Sequence, residues 1–157
     1  MEKIEDLQFA GLRFIQSDAA FRFGTDAVLL ASFVEAKRGE TVVDLGTGSG
    51  ILPVLLSGRC EARFIGIELQ APAAELARRN IALNGLERRV QILEGDFRAL
   101  SRQLSPVKVV ISNPPYDKVR AGKANQEKSI AIARHEVACS LREVVQSAAR
   151  LLQTGGR

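Results

Sequence analysis

Apolar residues recur along this chain in two rhythms. Four short runs, "GETVVDLG", "ARFIGIEL", "RVQILEGD" and "VKVVISN", are rich in Val and Ile and do not strictly alternate with polar residues. That is the pattern of strands buried on both faces. Between and around them lie segments of helical period. "TDAVLLASFVEA" carries an apolar face behind Thr25 or Asp26 as N-cap, and "SGILPVLLSGR" runs to Gly58. "APAAELARRNIALNG" has Pro72 in its first turn and Asn84-Gly85 as its stop. "SLREVVQSAARLLQTGG" opens on the capping-box pattern Ser140-x-x-Glu143 and closes at Gly155. The alternation predicts an α/β fold in one domain over residues 1–157: a doubly wound, mostly parallel sheet with helices on both faces. In such sheets ligands bind outside the carboxyl ends of the strands, at the switch point.

Composition narrows the picture modestly. The 157 residues are 46% hydrophobic and 25% charged, as in ordinary globular proteins. The net charge of +4 permits a polyanionic partner without requiring one. The opening "MEKIEDLQF" lacks the apolar stretch of a signal peptide, and "AVLLASFV" is too short to span a bilayer, so neither export nor a membrane is expected. Cys60 and Cys139 have no CxxC or Cys/His spacing. Free thiols in a reducing cytoplasm and no metal site are the reading that follows.

Four segments fall at strand ends: "DLGTGSG", "IEL", "GDF" and "NPPY". Gly46, Gly48 and Gly50 between a strand and a helix let the backbone turn sharply and approach a ligand. Their G-x-G-x-G spacing is not the G-x-G-x-x-G of dinucleotide sites, and alone it is also what a tight turn needs. Asp44 ends the first strand with a carboxylate, beside a helix N-terminus suited to a ligand's own carboxylate. A zwitterionic amino acid fits that pair better than a pyrophosphate. Glu68, 22 residues beyond Gly46, can accept from both ribose hydroxyls of a nucleoside. Asp96 can accept from an adenine amino group, with Phe97 as an apolar wall. An amino acid joined to adenosine is S-adenosyl-L-methionine.

The corner "ISNPPYD" adds chemistry. Two fixed acceptors, the Asn113 side-chain oxygen and the Pro114 carbonyl, can bind both hydrogens of a planar amino group. That favours a pyramidal nitrogen whose lone pair is free to attack. Tyr116 can stack on the base, and the prolines fix the corner beforehand. The methyl step itself asks for no general base or metal.

Taken in order and spacing, "VVDLGTGSGILPVLLS", "IGIEL", "EGDF" and "ISNPPY" resemble the motifs of class I S-adenosylmethionine-dependent methyltransferases. The flanks "FRFGTDAVLLASFV" and "IARHEVACSLREVVQSAARLLQTGGR" resemble the bacterial tRNA adenine methyltransferases that modify valine tRNA in its anticodon loop. The resemblance implies RNA, above all tRNA, as substrate. It also implies that Phe23, Gly24, Thr25 and Asp26 lie near the methionine part of the cofactor, with Leu69 in the cofactor-binding set. Pro115 and the basic residues Lys118, Arg120, Lys123 and Arg134 join as substrate-binding candidates, those after the corner forming a phosphate-binding lid or a solvated loop. His135, the only histidine, reads as structural.

The corner suits any planar amino group, so glutamine methylases acting on release factors share the pattern. A nicotinamide-dependent oxidoreductase and a non-catalytic binding module are rivals from other classes. The family sheet has seven strands and four are legible here. The chain therefore reads as a core lacking C-terminal strands, with the "VKVVISN" strand expected to have an unpaired edge.

Overall fold

The chain opens on an antiparallel hairpin that its apolar pattern does not announce. In the computed structural model, which describes residues 1–17, 23–114 and 140–157, β1 (Glu2–Asp6) pairs with β2 (Arg13–Ser17). The strand β1 is exposed along its whole length, whereas β2 buries Phe14, Ile15 and Gln16. A two-stranded element with one wet strand has no run of Val and Ile to betray it.

The helix α1 (Thr25–Phe33) follows, then β3 (Thr41–Leu45), α2 (Ile51–Ser57), β4 (Arg63–Glu68), α3 (Ala71–Leu83) and β5 (Val90–Glu94). A single-turn α4 (Phe97–Leu100), β6 (Val109–Ile111) and α5 (Leu141–Leu151) complete the described elements. The four expected runs form one parallel sheet in the order β5-β4-β3-β6. Alternate residues serve opposite faces. Val42, Phe64, Val90 and Val109 join Leu52, Leu56 and Ile81 on one side. On the other, Val43, Leu45 and Ile67 join Phe97, Val144 and Leu151. Burying such side chains is worth about 1.5–3 kcal/mol each, which is why both faces of this sheet read as apolar.

Some local expectations change. The N-cap of α1 is Gly24, with Thr25 and Asp26 in the first turn. The helix is apolar on all sides rather than one: Ala27 and Ala31 are buried, while Val28, Leu29 and Phe33 are exposed. The Ser140–Glu143 capping box forms as its spacing predicts. However, α5 stops at Leu151, because the chain then turns alongside β6. The N–H groups of Gln153 and Arg157 donate to the carbonyls of Val107 and Lys108, and Val110 donates back to Arg157. The β6 edge is thus partly paired within the described residues, contrary to the open edge expected.

Two asparagines fasten the hairpin to the sheet's helical layer. Asn80 Oδ1 accepts from the Ile15 N–H at 2.6 Å, and its Nδ2 donates to the Ile15 carbonyl at 3.3 Å. One turn later Asn84 does the same with Arg13, at 2.9 and 2.7 Å. The spacing works because four helical residues rise about 6 Å and two strand residues about 6.7 Å. The side chains of α3 therefore mimic a neighbouring strand for β2. Asn80 also donates to the Ser49 carbonyl at 3.0 Å, tying the hairpin to the turn after β3. Asn80→Ala would leave three backbone groups unpaired around a fully buried site and should destabilise the protein by about 3 kcal/mol. Asn84→Ala, at the exposed end, should cost about 1 kcal/mol. Urea denaturation of both variants checks the ranking.

Candidate functional site

Strand order reverses beside β3: β4 and β5 extend to one side and β6 to the other. The crevice between the carboxyl ends of β3 and β6 is the position where such sheets take ligands. The Ser112 hydroxyl donates to the Leu45 carbonyl at 2.7 Å across it, fixing the two strand ends relative to each other.

The glycine turn occupies one wall. Gly46, Gly48 and Gly50 have φ of +75°, +57° and +84°, the left-handed region where a side chain is strained. Added Cβ atoms at Gly46 and Gly48 would meet nothing within 4 Å, so both face open space. At Gly50 a Cβ would lie 3.3 Å from the Ala77 Cβ, so this glycine permits close packing of α2 on α3. The turn is braced by β4. The N–H groups of Gly46 and Thr47 both donate to the Ile67 carbonyl at 2.9 Å. Glu68 Oε2 accepts from the Gly48 N–H and its Oε1 from the Gln70 N–H, each at 2.9 Å.

Asp44 contrasts with Glu68. It is 1% exposed, and neither carboxyl oxygen has a hydrogen-bond partner; nor does the Thr47 hydroxyl beside it. Burial pushes the Asp44 carboxyl up to about 7; the Thr47 hydroxyl, near it but outside hydrogen-bond geometry, pulls the other way, and the Glu68 charge adds to the rise. Gly66, opposite Asp44 in the register, leaves room for this arrangement, since a Cβ there would sit 2.8 Å from Thr47 Oγ1. Buried acceptors with no partner, next to glycines facing open space, are what a cationic ligand group would satisfy.

On the other wall, Asn113 follows β6 and its Nδ2 donates to Asp26 Oδ2 at 2.8 Å, joining the end of the sheet to the first turn of α1. That bond, ahead of any other cause, holds the Asp26 carboxyl below its ordinary value.

Residues 7–157 match the family model described as methyltransferase small domain. The chain belongs to that family. It is 33% identical over 140 residues to the tRNA1(Val) (adenine(37)-N6)-methyltransferase of Aeromonas salmonicida, covering 88% of this chain but 58% of that relative. The enzyme of that name from Bacteroides fragilis is 29% identical over 153 residues, 95% of this chain and 63% of the relative. Among solved structures, a methyltransferase from Thiobacillus denitrificans in complex with S-adenosyl-L-homocysteine has a TM-score of 0.61. It is 20% identical and the match covers 85% of this chain and 46% of that one, a likeness of fold.

As a methyltransferase small domain, the chain brings Asp44, the three glycines, Glu68 and Asn113 to the strand ends around one crevice, with Pro114 next along the chain from Asn113. Thr25 begins α1 beside Asp26. Leu69 follows the end of β4, and Asp96 and Phe97 follow the end of β5. Asp96 caps α4, accepting from the Arg98 N–H at 2.8 Å, while the Arg98 guanidinium grips the carboxylate at 2.6 Å and reaches Glu143 of α5 at 2.8 Å. Phe97 packs inward with Leu45 and Ile67. Leu69 is about half exposed. Pro115, Tyr116, Lys118, Arg120, Lys123, Arg134, His135 and Cys139 lie outside the described residues; Cys60 is a free thiol. No group of acidic, His and Cys residues able to hold a metal occurs among the described residues, and no helix there is long and apolar enough to cross a membrane. Sequence reasoning passed over Thr47, Arg98 and Gly66. A glycine in mid-strand was a usable sign of a close neighbour; nothing local links Arg98 to Glu143.

The state of Asp44 sets a pH dependence. Its folded value of about 7 lies above the 3.8 of an ordinary aspartate, so the folded protein binds the proton more tightly. Its contribution is fully favourable below pH 3.8 and is lost as pH rises toward about 7. Asp44→Asn, which keeps the shape without the charge, should gain stability over the parent progressively across that window and level off above it. Thermal melts of the two proteins without ligand, taken from pH 4 to 8, measure the difference.

Proposed function

We propose that this chain is the catalytic part of an S-adenosyl-L-methionine-dependent methyltransferase acting on the exocyclic amino group of an adenine in RNA, with tRNA in the cytoplasm as its substrate. The chain spans roughly three fifths of the length of the two relatives described, so activity and substrate are inferred for the protein to which these residues belong. The observation that carries the reading is the meeting of Asn113 with the glycine turn at one switch point, in a family of methyltransferases. We take 1–157 as a single catalytic domain.

Bound there, S-adenosyl-L-methionine supplies an electrophilic methyl group on a sulfonium. The residues present suit it. Glu68 keeps lone pairs beyond the two N–H groups it accepts and can receive ribose hydroxyls. Asp44, buried and unpartnered, suits the positive ammonium of the amino-acid part, which would also favour its charged form. Gly46 and Gly48 leave space for close approach. Thr25, Leu69, Asp96 and Phe97 complete the proposed cofactor set. Asp96 would take an adenine amino group in exchange for part of its pairing with Arg98, which engages both carboxylate oxygens.

Asn113 Oδ1 and the Pro114 carbonyl are proposed to accept the two hydrogens of the target amino group, holding its lone pair toward the methyl donor. Tyr116 stacks on the base, and Pro115, Lys118, Arg120, Lys123 and Arg134 serve the RNA. The chain's excess of basic residues, 22 against 18 acidic, agrees with a polyanionic substrate.

The test is transfer of labelled methyl groups to bulk tRNA lacking the modification, with nucleoside analysis of the product. Methyladenosine is expected; label in a release-factor glutamine instead would give the reading to the protein methylases. Asn113→Ala should lower kcat at least about a hundredfold, the scale of losing one positioned transition-state contact. Its affinity for S-adenosyl-L-homocysteine by calorimetry should stay within about twofold, since the neutral methyl side chain leaves the glycine turn untouched.

A further inference from the structure

A carboxamide is nearly symmetric in shape, so packing alone does not decide which way Asn113 presents its oxygen and its nitrogen. Only the hydrogen-bond partners decide. The chemistry proposed above needs the oxygen toward the substrate, because an Nδ2 turned there would offer donors to an amino group that is itself a donor. The structure contains a device that makes this choice. Asn113 Nδ2 donates to Asp26 Oδ2 at 2.8 Å, across 87 residues of sequence. An ionised carboxylate accepts and cannot donate, so it engages the nitrogen end of the amide and leaves Oδ1 for an incoming donor.

A second observation belongs to the same device. Gly24 caps α1 with φ −108° and ψ −174°, an extended conformation open to any residue, so the backbone does not require glycine there. What requires it is space: a Cβ at position 24 would lie 2.6 Å from Asp26 Oδ1 and 3.7 Å from Asp26 Cγ. The atom in the way is the end of a side chain, not backbone. A methyl group at position 24 would therefore displace the Asp26 carboxylate while leaving the cap intact.

We propose that Asp26 is a positioning residue that fixes the orientation of the Asn113 amide, and that Gly24 is small in order to admit the Asp26 carboxylate. This rests on the methyltransferase reading and goes beyond what the family resemblance implied for residues 23–26, a place near the methionine part of the cofactor. The carboxyl is held below the ordinary aspartate value by the same bond, so it stays an acceptor at neutral pH.

Two variants test it. Asp26→Asn keeps the shape but can donate as well as accept, so both amide orientations become available. Gly24→Ala keeps Asp26 and Asn113 but pushes them apart. On bulk tRNA lacking the modification, each should lower kcat by about tenfold or more, the scale of misplacing a reacting contact. S-adenosyl-L-homocysteine affinity and melting temperature should stay near the parent's. Independently of activity, the side-chain NH2 resonances of Asn113 in nitrogen-15-labelled protein should move in both variants, as the charged acceptor is lost. Parent-like kcat in both variants overturns the proposal. So does loss of S-adenosyl-L-homocysteine affinity in step with kcat, which would give Asp26 to the cofactor. If the parent protein transfers no methyl group, the proposed function falls. The resonances then decide the positioning by themselves: a shift in Gly24→Ala upholds the Asp26–Asn113 coupling and unchanged signals overturn it.

Discussion

Between β3 and β6 the sheet changes direction, because β4 and β5 lie on one side of β3 and the later strand returns to the other. The turns leaving these two central strands therefore diverge, and a crevice opens that no side chain has to carve. Asp44, the glycine turn, Glu68 and Asn113 gather around this opening. The glycine turn leaves β3, Asn113 leaves β6, and Glu68 reaches across from the end of β4. The Ser112–Leu45 hydrogen bond keeps the two strand ends at fixed separation. Parallel pairing also places every strand's carboxyl end on the same side, so residues far apart in sequence become neighbours at no cost in special loops.

The two carboxylates near this opening are handled in opposite ways. Glu68 is satisfied by backbone N–H groups and acts as a brace for the turn. Asp44 is buried without a partner and carries a raised pKa, so ionising it works against the folded state. A strand end can hold such a group because the surrounding sheet, with Val42, Val43 and Leu45 all buried, is stable enough to carry the strain. The same burial that makes the empty protein pH-sensitive makes Asp44 a strong acceptor once a cation lies beside it, since the low-dielectric surroundings magnify both effects.

Much of this was legible in the chain. Buried parallel strands announce themselves as unbroken Val/Ile runs, so β3 to β6 and the helices α2 and α3 could be read directly, as could the glycine turn and the Ser140–Glu143 box; the single turn of α4 could not be. The hairpin could not either, because β1 is exposed on both sides and the far edge of β2 is held by helix side chains rather than by a further strand. Its partners Asn80 and Asn84 sit in an ordinary-looking helix, and their i, i+4 spacing has meaning only once β2 lies alongside. Arg98 was invisible for a related reason. Its pairing with Asp96 is local, but its link to Glu143 spans 45 residues, and no local pattern encodes a contact of that range. The sequence therefore shows Asp96 at a strand end but not the Arg98–Glu143 network that it joins.

The glycines show how space, rather than flexibility, can be what a sequence encodes. Gly46 and Gly48 are needed for their left-handed backbone, and an added Cβ at either would meet open space. Gly66 and Gly24 have backbone conformations that any residue can adopt, yet each is the only side chain small enough for its place. At Gly66 the neighbour is Thr47, beside Asp44; at Gly24 it is Asp26, beside Asn113. In both cases the neighbour is a polar side chain that stands beside a group assigned above to a proposed ligand. A methyl group at either position would act by moving that polar group, not by blocking the crevice. The glycine is then a specification of where a neighbouring oxygen lies. A site read only from its charged and aromatic residues omits the positions that decide where those residues point.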